Sequence, residues 1–257
     1  MKKILKYILL GVCGALIIAC IVCAFIAGQK SRKDILCRRI NIVVADSLEN
    51  RFISPDKIKK DIRKEYGNVI GLPLDSIDLQ KIEKIVDNQT AVFKSQAYTT
   101  KDSTLNIEIK QRKPIVRFQK GEAGFYADNE GYIFPLQTSF TSHVLIVDGN
   151  LPINMSEGLA GEITKNKEWF LKTIALINYI ESDSEWKKAI VQININKDGD
   201  IVMVPREGQE KFVFGQPEEI EHKFEKLKKY YTAIVPKAGR ETYKVIDLRF
   251  KEQIVCK

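Results

Sequence analysis

The sequence predicts an α+β fold made of a single N-terminal transmembrane helix, a β-α-α-β-β unit and a larger, sheet-rich mixed α/β domain. Three observations predict it. Residues 8–27 run for about twenty positions without a charge, the length a helix needs to cross roughly 30 Å of hydrocarbon. Behind them the apolar period switches between two and 3.6 in the order strand, helix, helix, strand, strand. Beyond Pro114, short alternating strands recur between turns rich in Gly, Asp and Asn, interrupted by two amphipathic helices.

The apolar run places everything else. Only residues 1–7 precede it, with Lys2, Lys3 and Lys6, so the reading is a short cytoplasmic tail (1–7), a membrane helix (8–27) and all remaining residues on the other side. A cleaved signal peptide has a shorter apolar region, about 7 to 15 residues. Ile17-Ile18-Ala19-Cys20 also resembles a lipobox, but the residues after Cys20 stay apolar, whereas a mature lipoprotein normally begins with polar ones. Basic residues after the helix outnumber those before it, which by a naive count puts the large domain inside. That rule weakens for long translocated domains, and the domain is read as extracytoplasmic.

The net charge of +8 does not mark a nucleic-acid binder, because it is concentrated beside the apolar run. Residues 1–7 hold three lysines and residues 30–39 five cations and one acid, leaving +1 for the rest of the chain. Charge so placed suits lipid headgroups rather than a phosphate track. Of five cysteines, three lie in the apolar run, and Cys37 and Cys256 show no framework spacing. His143 and His222 are far apart, and no phosphate loop, nucleophile elbow or zinc-protease motif is present. The chain is therefore expected to have no catalytic, cofactor or metal residues.

In the first domain, placed at 38–113, Ile40, Ile42 and Val44 form a strand. Ser54 and Pro55 then open a helix with Ile58, Ile62 and Tyr66 on one stripe, ended by Gly67. A loop over 71–78 leads to a second helix with Leu79, Ile82, Ile85 and Val86 on one face. Residues 92–99 and 104–111 make a hairpin around Lys101-Asp102-Ser103, with Leu105, Ile107 and Ile109 alternating strictly with polar neighbours. This order, directly after a membrane anchor, resembles a POTRA domain, in which two helices cover a three-stranded sheet and the edge strand is a docking surface.

The second domain, 114–257, begins at Lys110-Gln111-Arg112-Lys113-Pro114-Ile115-Val116, which looks like the E-x-R-x-P-[IV]-[AV] junction of the FtsQ/DivIB cell-division family; Pro114 is read as ending a strand. Phe125 to Pro135 is similar to that family's F-Y-x-D-x-x-G-x-[VI]-F signature and reads as a hairpin whose turn is entered by Asp128, a carboxylate expected to bond backbone N–H groups. A strand at 144–147, a Gly149 to Pro152 step, a helix over 166–181, a hairpin around Lys197 to Asp200 and a strand at 211–214 follow. Pro217 is read as opening a helix whose lysines 226, 228 and 229 answer the helix dipole. The terminal strand, 243–250, contains Val245-Ile246-Asp247-Leu248-Arg249-Phe250, which resembles the family's V-D-[LM]-R-[YF] element. The family often continues x-x-G-x-[AV]-V-x-W, whereas here Gln253 takes the Gly place and the sequence stops short of the Trp.

The resemblance implies a bitopic division scaffold of the cytoplasmic (inner) membrane with a periplasmic or extracytoplasmic domain, gathered at the septum. It implies FtsB/DivIC-like and FtsL-like bitopic partners and a role in regulating septal peptidoglycan synthesis, without nucleic acid and without enzymatic activity. The partner site is placed on Ile246, Asp247, Leu248, Arg249 and Phe250, read as an exposed strand edge with Asp247 and Arg249 as a surface pair. The rivals are a POTRA-containing transport or outer-membrane assembly module, against which there is no internal repeat, and a membrane-anchored envelope lipoprotein.

Overall fold

The computed structural model describes residues 14–24, 35–45, 51–137, 140–156, 159–239 and 241–257. Of the apolar run, residues 14–24 form a helix (α1); its remaining positions and the expected cytoplasmic tail lie outside the described residues. Among the described residues no helix is long and apolar enough to cross a membrane. The contacts divide the chain into two compact units, one holding Ile53–Gln111 and the chain up to Ser47, the other Arg112–Lys257 with Leu48–Phe52.

The first unit has the predicted order: β1 (Arg39–Val44), α2 (Pro55–Glu65), a single 3₁₀ turn (Leu74–Ser76), α3 (Leu79–Asp87), β2 (Val92–Thr100) and β3 (Thr104–Gln111). Its three strands lie in the order β1-β3-β2, with β1 parallel to β3 and β2 antiparallel to it. Pro55 stands at the start of α2, where its missing N–H is not needed. Asp78 caps α3 by accepting from the Lys81 N–H at 3.0 Å. Alternation drives Leu105, Ile107 and Ile109 inward, where they meet Ile58, Ile62, Ile82, Ile85 and Val86 in one aliphatic core. The β2–β3 turn is tied by Asp102, whose carboxyl is held down to about 2 by the Thr100 hydroxyl, Arg39 and the Thr104 hydroxyl.

The second unit runs β4 (Pro114–Lys120), β5 (Ala123–Asp128), β6 (Tyr132–Pro135), β7 (Leu145–Gly149), β8 (Gly161–Glu162), α4 (Lys167–Ser182), α5 (Ser184–Ala189), β9 (Ile190–Ile195), β10 (Ile201–Pro205) and β11 (Lys211–Gly215). α6 (Ile220–Lys229) then passes through a π-helical turn (Tyr230–Ile234) into α7 (Val235–Ala238), before β12 (Val245–Asp247) and β13 (Val255–Cys256). Ten strands form one sheet in the order β13-β12-β11-β10-β9-β7-β4-β5-β6-β8. The helices dock on it through aromatic rings: Phe170 of α4 lies 5.4 Å from Phe118 and Phe224 of α6 lies 5.8 Å from Phe214, centroid to centroid.

Several expectations need correction. Pro114 opens β4 rather than ending a strand, a place where the absent N–H breaks no ladder bond. α6 starts at Ile220 and not at Pro217, because Glu219 adopts a left-handed φ of 50° that a helix interior cannot hold. The terminal strand is three residues long, not eight, and it is not the edge: β11 pairs with β12 on one side and β13 on the other. The helix α5 and the two-residue strands β8 and β13 are too short to show a period in the sequence.

Candidate partner-binding edge

The C-terminal end of the large sheet is built from four pieces of chain. The first is the β9–β10 turn, where the Asn196 carboxamide oxygen accepts from the N–H groups of Asp198 and Asp200, each at 2.9 Å. The second is the end of β11, where Gly215 has φ +78° and an added Cβ would stand 2.8 Å from the Arg249 Cγ, so glycine is required for both backbone and space. The third is α6, and the fourth the chain from β12 to the terminus.

Beyond β12 the backbone is fastened by side chains. The Asp247 carboxylate accepts from the Arg249 backbone N–H (3.1 Å), Nε (3.0 Å) and Nη2 (2.7 Å), which bends the chain out of the strand after three residues. The guanidinium also donates to Asp200 Oδ2 at 2.9 Å. With its bonds to Arg249 outweighing the opposing effect of burial, the Asp247 carboxyl lies below the usual carboxylate range, and Arg249 is held even more firmly protonated than an ordinary arginine. α6 supplies the other ties. Lys226 Nζ donates to the Leu248 carbonyl (2.6 Å) and the Phe250 carbonyl (2.7 Å), and His222 Nε2 lies 2.8 Å from the Lys251 carbonyl. Burial pushes the Lys226 ammonium below its ordinary range, yet these carbonyl dipoles solvate it. Lys223 does the same one turn earlier, donating to the Gln216 carbonyl at 2.8 Å with its ammonium 4.5 Å from the Phe214 ring centre.

The chain then returns as β13. Ile246 pairs with Cys256 and Asp247 with Val255, while Val245 and Lys257 exchange N–H to carbonyl bonds of 3.0 and 2.9 Å. β13 is thus the outermost strand at this end of the sheet.

The five residues singled out in the sequence separate into two groups. Ile246 and Leu248 are fully buried and belong to the core, and Asp247 is buried beneath Arg249, so the pair is not a surface one. Arg249 is half-exposed and Phe250 is 44% exposed. Sequence reasoning missed Lys226, His222, Gly215, Asp200 and β13. The sequence assigns Lys226 to the helix dipole, whereas its ammonium is turned inward. A signal existed: Lys223, Lys226 and Tyr230 share the spacing of a buried helical stripe.

Elsewhere, Asp128 accepts from the backbone N–H groups of Glu130 (3.1 Å) and Tyr132 (2.9 Å) and from Arg112 Nη1 (2.8 Å), which accounts for that carboxylate as a turn-former. Among the described residues no group of three or more His, Cys, Asp and Glu is placed to hold a metal.

Comparison with known families agrees with this architecture. Residues 35–110 match the family described as POTRA-like domain, and residues 113–257 match the family described as FtsQ/DivIB, C-terminal related. No curated protein matches the chain. Both families are scaffold types rather than enzymes. The second match alone covers more than half of the 257 residues, and the chain belongs to the FtsQ/DivIB family of cell-division proteins.

Proposed function

We propose that this chain is a single-pass, membrane-anchored division scaffold without catalytic activity, which binds FtsB/DivIC-like and FtsL-like bitopic proteins and thereby regulates septal peptidoglycan synthesis. Residues 8–27 are its anchor. The docking element is the outer edge of β13 together with the side chains of Arg249 and Phe250. The single observation that carries this reading is a large aromatic side chain held out to solvent by a fastened backbone: Phe250 is 44% exposed while its own carbonyl accepts from the buried Lys226.

A partner segment adding as a strand needs unpaired N–H and C=O groups, and an edge strand presents them. β12 has none to give, since both its sides are paired, and the carbonyls of Leu248, Phe250 and Lys251 are engaged by α6. That leaves β13 for backbone pairing and Arg249 and Phe250 for side-chain contact. Ile246, Asp247 and Leu248 act from below by fixing where those two side chains stand. The binding test is co-purification of the tagged full-length chain in detergent with a purified FtsB/DivIC-like protein. Phe250→Glu is expected to leave the circular dichroism unchanged and to weaken binding at least about tenfold, about 1.4 kcal/mol. Full-strength binding by the folded variant would remove Phe250 from the site.

A further inference from the structure

We propose that the solvent face of α2 docks on the anionic phospholipid leaflet that holds residues 8–27. The inference rests on reading that run as a membrane anchor. α2 buries Ile58 and Ile62. At 3.6 residues per turn, the arc opposite that stripe carries Lys57, Lys60 and Lys64 in one row and Lys59 and Arg63 in the next, all exposed. Asp56 is the one carboxylate on the same arc, 4.0 Å from the Lys59 ammonium; Asp61 is half-buried and Glu65 stands on the flank.

Helix stability does not account for this row. Arg63 and Lys64 lie in the last turn, where a cation suits the dipole, but Lys57, Lys59 and Lys60 lie in the first half, where it does not. The spacings 57–60, 60–64 and 59–63 also set like charges beside one another, which opposes helix formation. The neighbouring helix does not neutralise the row either. In α3 and its cap, Asp78, Glu83 and Asp87 direct carboxylate oxygens to the backbone N–H groups of Lys81, Ala97 and Ser95, at 3.0, 2.7 and 2.8 Å. Nor does the row reflect a general surplus, because residues 40–257 carry a net charge of only +1.

An anionic surface is what such a row recognises, and the nearest one is fixed by the chain. Seven residues, 28–34, separate the apolar run from Ile35, and fully extended they span at most about 25 Å. In the sequence, Lys30, Arg32, Lys33 and Arg38 add further cations between the apolar run and β1. Basic side chains near an anionic leaflet are attracted to it over about one Debye length, roughly 8 Å at physiological salt, so α2 must come into near-contact for the row to act.

The test uses the full-length chain in lipid nanodiscs, either zwitterionic or about one-third phosphatidylglycerol, with a fluorescent amino acid in place of Glu65 and a tracer lipid bearing an acceptor on its headgroup. Energy transfer is expected to be at least about twofold higher on the anionic discs. The excess should vanish in about 0.5 M salt and in the triple variant Lys57→Gln, Lys60→Gln, Lys64→Gln, whose circular dichroism stays unchanged. Equal transfer on both discs by integrated protein would overturn the docking proposal while leaving the anchor intact. Failure of the chain to integrate into either disc would overturn the anchor and, with it, the docking.

Discussion

The two units close a sheet with helices in different ways. In the POTRA-like unit, the core that joins helices to sheet is aliphatic, drawn from Ile, Val and Leu on three strands and two helices, and two of its polar devices act locally, Asp78 on its own helix and Asp102 on its own hairpin, with the longer reach of Asp102 to Arg39 lying at the exposed surface. In the FtsQ/DivIB unit, Phe170 of α4 and Phe224 of α6 pack against rings of the sheet within a larger, mainly aliphatic core, and the last stretch of chain is held by side chains far away in sequence. Lys226 bonds Leu248 and Phe250 across 22 and 24 positions, and Asp200 bonds Arg249 across 49. The difference teaches where each unit is vulnerable. Local devices fail one element at a time, whereas a side chain that ties a distant backbone releases several elements when lost.

The largest effect is expected at Lys226. Lys226→Met keeps the bulk but withdraws the donor from two carbonyls, one of them deep in the core, and is predicted to cost the second unit about 3 kcal/mol. Both tryptophans, Trp169 and Trp186, lie in that unit, so urea unfolding followed by their fluorescence reports it selectively. A loss below about 1 kcal/mol would show that the tie is incidental.

Asp247 comes next. Because Arg249 and the Arg249 backbone N–H bond the ionised carboxylate, its folded-state pKa is depressed, and the stabilisation is full above the usual carboxylate range near 4 and lost as pH falls through and below it. With the guanidinium half-exposed and partly screened, Asp247→Asn should cost about 1.5 kcal/mol at pH 7. The variant's stability should also change less than the wild type's between pH 7 and pH 3, in the same tryptophan assay.

The smallest effect is in the first unit. Asp78→Ala removes the cap of α3 and should cost about 1 kcal/mol, seen as faster hydrogen exchange across Leu79–Asp87 with the tryptophan transition unmoved. If that transition shifted too, the division into local and distant devices would be wrong.

The same division governs what could be read from the sequence. β1, α2, α3 and the β2–β3 hairpin were legible because each is set by its own period and turn residues, as with Leu105, Ile107 and Ile109. The hairpin turn at Asp128 was legible for the same reason. The extent of β12 was not. The sequence spells an eight-residue strand over 243–250, with alternation from Val245 to Phe250, but Asp247 turns back on the Arg249 N–H and Lys226 holds the carbonyls that a longer strand would offer to a ladder. β13 has two residues and depends wholly on β12 for its existence. Burial of Lys226 was hidden by its chemistry, since a lysine near a helix end is ordinarily solvated, and only the distant carbonyls make its interior position tolerable.

The central claim is that partners add at the β13 edge of the sheet. Its most direct test is hydrogen exchange of the full-length chain with and without a saturating FtsB/DivIC-like partner, read amide by amide over Ile254–Lys257 and over the two edge strands of the POTRA-like unit, β1 and β2. The account predicts at least about tenfold slower exchange at amides of Ile254–Lys257 that point away from β12, with β1 and β2 unchanged. Protection confined to β1 or β2, with Ile254–Lys257 exchanging as before, would contradict it.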